Sequence, residues 1–304
     1  MKRLLFVLSF FVISSIHAAN DKAFVWEVSS ADGALNQATV YLMGSIHFAD
    51  KSFYPLRQEI EAAFERSKYL VVELDIRRTN HDVYSQLLAQ KGIYTDGTTI
   101  KDVISDETWL QLRQRLRHLN ISYDAIKNYK PGVLVLTLSA AQVIKMGFDP
   151  QLGVDAYFLE KASQPEHVKQ VLELETLEQQ LELFINIPNG DLLLKESLYS
   201  LDEAELLMAD LVRFWKQGDV GQMNKLLFED ALEEYPAFSE IYDKLFYGRN
   251  RNMVLKIDAM LQKQLPKSPQ QKVYYFVVVG SGHLIGDKGI VNALREKGYK
   301  VRRL

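Results

Sequence analysis

Two short turns, Gly44-Ser45-Ile46-His47 and Gly280-Ser281-Gly282-His283, stand near opposite ends of the chain, and each follows an apolar run. A glycine turn that ends a strand releases the next side chains at the carboxyl edge of a sheet, where open α/β folds place their ligands. The two turns can therefore bring two imidazoles to one site. With 16 glycines and 6 histidines in 304 residues, chance supplies on the order of 0.3 Gly-x-x-His pairs, so two are hard to dismiss. Their setting also repeats: strand, Gly-Ser-x-His, amphipathic helix, strand.

Carboxylates extend the pattern. Glu73 interrupts the apolar run 69–74, and an ionised group inside a sheet must be paired, hydrogen-bonded or bound to metal. It is either an ion-pair partner of an arginine, or a metal ligand or general base beside the histidines. Asp75 is two residues on and shares that face; it serves the same site or the loop beginning at Arg77. Glu175 ends a later strand, and Asp155 in Gly153-Val154-Asp155 opens a helix. Either can ligate a metal or orient an imidazole from behind, and Asp155 can equally serve the helix dipole alone. Arg249-Asn250 follows Gly248 at a junction of two helices. A fixed guanidinium there can stabilise an oxyanion, clamp a substrate carboxylate or form a structural salt bridge. His81, His118 and His167 fall in polar surroundings and read as surface residues. The sequence has no Gly-x-Ser-x-Gly elbow, no phosphate-cradling Gly-x-x-x-x-Gly-Lys and no His-Glu-x-x-His, and the absence of cysteine excludes a thiol enzyme.

The elements that must position these groups are legible in outline. Segments 23–27 and 38–43 read as a hairpin around the polar turn 29–33, the second strand delivering His47. Leu56, Ile60, Ala63 and Phe64 recur at helical spacing before the strand 69–74, completing a βαβ unit. At the other end 273–279 is a strand, Asp287 caps a helix carrying Ile290, Val291 and Leu294, and Gly298 stops it before the strand 299–301. Because parallel crossovers are right-handed, both units present their turns at one edge if they share a sheet.

Between the units lies a mainly helical region, about 80–270. Ser105 caps a helix with Trp109, Leu112, Leu116 and Leu119 inward and Arg113, Arg115 and Arg117 as a solvated face. Pro131 opens a buried helix that ends at Gly147. Segment 168–174 is a further strand, and Thr176 with Gln179 has capping-box spacing ahead of Leu181 and Phe184. Later helices run approximately 198–217, 220–234, 237–246 and 250–264, and 266–271 is a loop. The expected fold is α/β, a central sheet built from two strand-turn-helix-strand units with a large helical middle region, in a single domain spanning 20–304.

Met1-Lys2-Arg3 followed by the uncharged stretch 4–16 has the layout of a secretory signal peptide, residues 1–19. Its apolar core falls short of the roughly 20 residues of a membrane span, and the charge-free 131–144 reads as a buried helix. An exported, periplasmic or secreted protein with no stable span after signal removal is expected. No disulfide or thiolate ligand can contribute, so stability must come from the core. Hydrophobic residues at 47% and charged residues at 25% suit a globular chain. Removing 1–19 takes away Lys2 and Arg3 and moves the formal charge from −3 to −5. With no basic face or aromatic-basic module, nucleic acid is not an expected partner.

Taken in order, Gly44-Ser45-Ile46-His47, Val72-Glu73-Leu74-Asp75, Lys130-Pro131, Gly153-Val154-Asp155, Leu174-Glu175-Thr176, Arg249-Asn250 and Gly280-Ser281-Gly282-His283-Leu284 resemble the landmarks of the TraB/GumN group of bacterial proteins, related to the Tiki metalloproteases. The resemblance covers almost the whole mature chain. It implies a fold like that of the erythromycin esterase and ChaN-type haem-binding proteins, and a divalent-metal peptidase in which His47, His283 and Glu73 are essential and manganese or cobalt supports activity. One departure is Gly132, where the family commonly has tryptophan after Lys-Pro; this bears on local packing. Nitrogen and oxygen ligands also accommodate zinc or iron.

The expected function is an exported metal-dependent hydrolase acting on peptide or protein by a metal-activated water. His47 and His283 bind the metal, Glu73 is ligand or base, Arg249 stabilises developing charge, and Asp75, Asp155, Glu175 and Asn250 are supporting or alternative ligands. The rival is a non-catalytic iron- or haem-binding protein drawing on Tyr41, Tyr54, Tyr157 and Tyr247, or a protein that sequesters peptide without turnover. By the resemblance, related folds host esterase, haem-binding and peptidase functions, so fold alone does not decide.

Overall fold

Six apolar runs pair into one mixed sheet of order β4-β3-β5-β2-β1-β6: β1 Val25–Ser29, β2 Thr39–Ser45, β3 Tyr69–Val72, β4 Gln170–Glu173, β5 Tyr274–Gly280 and β6 Lys300–Arg303. The computed structural model describes residues 23–31, 38–78, 81–234, 236–263 and 272–304. The expected signal peptide 1–19, the tip of the first hairpin and the loop 266–271 lie outside the described residues. Strands β2 to β5 run parallel, while β1 runs against both its neighbours. All of β2 and the middle of β5 are buried, as expected of central parallel strands covered on both faces.

The two turn-bearing strands, β2 and β5, are direct neighbours, with Gly44 opposite Val279 and Ser45 opposite Gly280. Both histidine turns therefore leave the sheet at the same edge, as the sequence leads one to expect. The two units are interleaved, however. Strand β5 sits between β2 and β3, and β6 pairs beyond β1, so neither unit closes on its own neighbour.

Surrounding helices include α1 Gln58–Arg66, α2 Asp106–Leu119, α3 Pro131–Lys145, α4 Val154–Lys161, α5 Leu177–Ile185, α6 Gly190–Asp202, α7 Ala204–Gln217, α8 Gly248–Gln262 and α9 Ile290–Glu296. Two apolar clusters hold them. One packs Phe158 of α4, Ile257 of α8 and Leu294 of α9 on Leu42, Val71 and Phe276 of the sheet. The other joins α2, α3 and α6 through Leu112, Leu134, Leu138, Leu194 and Leu198. The middle region thus has a core of its own, yet it also supplies β4 and α4 to the sheet. Among the described residues no helix is long and apolar enough to cross a membrane.

Local signals explain several boundaries. Thr176 and Gln179 form the reciprocal capping box of α5, and the Ser105 hydroxyl accepts from the Thr108 N–H at the start of α2. Pro131 opens α3. A Cβ at Gly132 would meet the Phe184 carbonyl oxygen at 1.9 Å, so glycine permits the start of α3 to abut the end of α5.

Four expectations are corrected. Arg115 is buried, its guanidinium donating to Gln142 Oε1 of α3 at 3.2 Å. Helix α9 starts after Gly289 with no side-chain cap, so Asp287 does not cap it. The helix expected over 198–217 is divided at Glu203 into α6 and α7. Segment 220–234 contains a π-helical turn, Lys225–Glu229, and segment 237–246 runs into another, Asp243–Tyr247, that leads directly into α8.

Candidate active site

The first turn is seated on the start of α4. Val154 N–H donates to the Ile46 carbonyl at 3.0 Å, and a Cβ at Gly153 would lie only 2.3 Å from the His47 carbonyl oxygen. Glycine is needed there for the helix to approach. Its next residue but one, Asp155, accepts from the Ser45 hydroxyl at 2.7 Å and from His47 Nδ1 at 3.0 Å. Trp215 Nε1 holds the Gly44 carbonyl at 2.8 Å, and the Ser281 hydroxyl bonds the Ser45 carbonyl at 2.9 Å, tying one turn to the other.

The second histidine is held from α8. His283 Nδ1 lies 2.6 Å from Asn250 Oδ1, and the amide nitrogen of Asn250 is committed to the Lys288 carbonyl at 2.9 Å. Oδ1 is therefore the acceptor and Nδ1 carries the proton, which leaves Nε2 of the neutral ring as a lone-pair donor. Nε2 faces Glu73 Oε1 at 3.8 Å. Burial lowers the pKa of His283, against the Glu73 carboxylate, to about 4, so the ring is neutral near pH 7. His47 is the opposite case. Desolvation by its surroundings opposes its charge although half of the side chain is exposed. The Asp155 carboxylate, with Glu73 behind it, outweighs this and raises its pKa to about 9, so the ring carries both protons near pH 7 and an ion at Nε2 would have to displace one.

Glu73 follows the end of β3 and is nearly enclosed. Its Oε1 accepts the Gly280 N–H at 2.6 Å, and its Oε2 takes Arg249 Nη2 at 2.5 Å and Gln180 Nε2 at 3.4 Å. Burial opposes ionisation, but the adjacent imidazoles, Arg249 and the Gly280 N–H outweigh it and hold the pKa at about 2. Arg249 also grips Glu175, through Nε at 2.9 Å and Nη2 at 2.6 Å, while Nη1 donates to the Leu245 carbonyl at 3.2 Å. Each of its three nitrogens is thus directed at protein. In this arrangement Arg249 fixes Glu73 and Glu175 and does not point at a position for a developing oxyanion. The ion-pair and site readings of Glu73 coincide, because its arginine belongs to the site.

A cavity of ≈ 550 Å³ opens over these groups, with His47, Glu73, Asp155, Arg249 and His283 on its lining and Phe48, Leu136, Phe184, Leu211 and Leu227 among its apolar walls. Glu175 and Asn250 stand behind it, bonded to Arg249 and His283. Asp75 is not brought in. It is buried away from the cavity in a two-pronged pair with Arg77, at 3.0 Å from both Nε and Nη2. Nor does any of Tyr41, Tyr54, Tyr157 or Tyr247 line the cavity. Tyr41 stacks on Tyr274, Tyr54 donates to the Leu152 carbonyl and Tyr157 to Glu61. Gln180, which bonds both Glu73 and Glu175, carries no signal in the sequence beyond its place in α5. The two motif serines could have been assigned from their repetition.

Gly280 marks where the donors converge. The point a Cβ would occupy there is 3.2 Å from His47 Nε2, 3.4 Å from Glu73 Oε1 and 3.6 Å from His283 Cδ2. Among the described residues no three His, Asp or Glu side chains are drawn together tightly enough to hold an ion as they stand. The donor chemistry does fit a divalent ion: both Nδ1 positions are held from behind, leaving two Nε2 atoms and an ionised carboxylate oxygen on one side.

The profile of the TraB/PrgY/gumN family matches residues 24–303, a span that includes both turns and every carboxylate of the cavity. The chain belongs to this family. Similar proteins include the uncharacterized protein YbaP of Escherichia coli (strain K12), 25% identical over 84% of this chain and 87% of that protein. Metalloprotease TIKI2 of Xenopus tropicalis is 23% identical over 92% of this chain and 59% of its own length. Metalloprotease TIKI1 of Danio rerio is 22% identical over 86% of this chain and 60% of its own. No solved structure matches the chain.

Proposed function

We propose that the protein is an exported divalent-metal-dependent hydrolase, a peptidase acting on peptide or protein in the cavity where His47, Glu73 and His283 meet. The observation that carries this reading is that Asp155 and Asn250 hold the two motif imidazoles by Nδ1 beside one ionised carboxylate. Likeness to proteins named metalloproteases supports it. His47 Nε2, His283 Nε2 and Glu73 Oε1 would hold the ion, manganese or cobalt by family resemblance, with zinc or iron also suited to such donors. When bound, the ion supplies Lewis acidity for activating water and polarising a carbonyl.

The remaining work falls to the chain. Asp155 and Asn250 orient the imidazoles, Arg249 keeps Glu73 ionised, Gln180 helps hold it in place, and Glu175 anchors Arg249. The apolar walls exclude bulk water and receive side chains flanking the cleaved bond. Glu73 Oε1, which Arg249 leaves alone, is the oxygen suited to ligation or to accepting a proton. The proposal extends to export through residues 1–19, to one domain over 20–304 and to an erythromycin esterase/ChaN-type arrangement.

The test is hydrolysis of a mixed peptide library by purified protein. Cleavage should appear with manganese or cobalt and vanish with chelator. Full, metal-independent activity in a His47→Ala, His283→Ala double variant overturns the mechanism, and peptide binding without turnover under every metal makes the protein a sequestering one.

A further inference from the structure

A second cavity, of ≈ 630 Å³, adjoins the first, and Leu211, Leu227 and Phe246 line both. Two of those three come from the π-helical turns, Leu227 from Lys225–Glu229 and Phe246 from Asp243–Tyr247. A π turn inserts one extra residue into a helix and is concentrated at functional sites. Here the second turn sets Phe246 against the His283 ring, 5.3 Å between centroids, and runs directly into the start of α8 that carries Arg249 and Asn250. Leu227 and Phe246, with Leu211, therefore form the shared wall of two adjoining chambers.

The second chamber has its own chemistry. Val143, Met146, Met208 and Leu226 give it an apolar surface, and unbranched methionines adapt to side chains of varied shape. No lysine or arginine is among its lining residues, whereas three acids are, the buried Glu196 and, nearer solvent, Glu203 and Asp230. Glu203 is exposed at the break between α6 and α7. Asp230 is also exposed, its contact with Lys225 a loose 4.0 Å, and such a solvated pair holds it weakly. The charge opposes an anionic headgroup, as on a fatty acid, and complements a cation.

We propose that the second chamber is a substrate subsite, taking an apolar stretch of a peptide whose next residue is basic and lies by Glu203 and Asp230. This rests on the hydrolase reading only for where the cleaved bond sits, past Phe246 and Leu227 in the first chamber. Specificity is then set by the shared wall and the acidic rim, remote from the histidines.

Binding tests this independently of cleavage. Dansyl-labelled peptides with one apolar run, ended by Lys or by Glu, and free dodecanoate are titrated against the full chain in the presence of chelator. The Lys-ended peptide should bind about tenfold more tightly than the Glu-ended one. A Glu203→Lys, Asp230→Lys variant should abolish or reverse that preference, Met208→Trp should weaken both peptides, and His283→Ala should retain the preference. Equal affinity for the two peptides, a preference that survives the charge reversal, or tighter binding of dodecanoate overturns the proposal. Should Met208→Trp fail to fold by thermal melting, the reversal at the two exposed acids decides alone. A retained end preference without any metal-dependent cleavage rejects the hydrolase reading and leaves the subsite standing.

Discussion

Asn250 reads His283 in one tautomer only, because the Lys288 carbonyl occupies its amide nitrogen and leaves Oδ1, 2.6 Å from Nδ1, as an acceptor. The ring's remaining nitrogen is thereby aimed at Glu73. Asn250→Ala removes the restraint without touching a donor atom, so metal affinity and metal-dependent kcat/KM should fall about 10- to 100-fold, the usual cost of losing such support. Isothermal titration with manganese, beside a thermal melt of the metal-free protein, checks this. Unchanged affinity shows that the ring is held by Phe246 packing alone.

Arg249 bridges two nearly buried carboxylates, Glu73 and Glu175. Arg249→Met leaves both without their cation, and breaking such a cluster should destabilise the fold by about 3–5 kcal/mol. Urea unfolding measures it. Glu175→Gln, which keeps shape and leaves Arg249 paired with Glu73, should cost clearly less. An Arg249→Met variant as stable as wild type means that the carboxylates take up protons or water instead, and Arg249 is then available for substrate.

Much of this site is legible in the sequence because each member carries a local mark. Glu73 breaks an apolar run, His47 and His283 follow glycine turns, and Asp155 begins a helix. Asp75 misleads because alternation of faces holds only within a strand. Strand β3 ends at Val72, and beyond it the chain turns so that Arg77 takes the carboxylate. Arg115 misleads for another reason: three arginines at alternate positions look like one charged face, although position 115 lies one helical turn from Leu112 and belongs to the buried side. The interleaving of β5 between β2 and β3 leaves no local trace, since strand order is set by pairing between distant segments. A π turn is likewise hidden, as one extra residue barely disturbs a short helical period.

The join between α8 and the chain's end supplies a pH dependence. Asp258 accepts from Lys297 Nζ at 2.9 Å and from the Tyr299 hydroxyl. Burial would raise its pKa, but the Tyr299 hydrogen bond and Lys297 outweigh it and hold the carboxyl below its ordinary range. A depressed folded pKa contributes stability that is present above the unfolded value, about 4, and is lost as pH falls through the folded one. As the pH falls from neutral to below the unfolded value of about 4, wild type should lose more unfolding free energy than Asp258→Asn. Parallel slopes for the two proteins in urea melts across that range remove Asp258 as the cause.

Gly280 and Gly153 make a matched pair of tests, because one faces the donors and the other faces backbone. At Gly280, φ is −51 and ψ is 137, values alanine adopts freely, and the tightest contact falls on the end of the half-exposed His47 side chain, so Gly280→Ala should change metal-free stability by no more than about 1 kcal/mol in either direction. Its methyl, however, would stand 3.2 Å from His47 Nε2 and 3.4 Å from Glu73 Oε1, in the space an ion bridging those atoms would need. Metal binding and metal-dependent cleavage should be lost from a protein that still folds. Gly153→Ala instead drives a methyl to 2.3 Å from the His47 carbonyl, and relieving that overlap should cost about 1–3 kcal/mol of stability. Differential scanning calorimetry with and without manganese separates the two. If Gly280→Ala keeps full manganese affinity, the ion does not sit between His47 and Glu73, and a different set of donors must be sought.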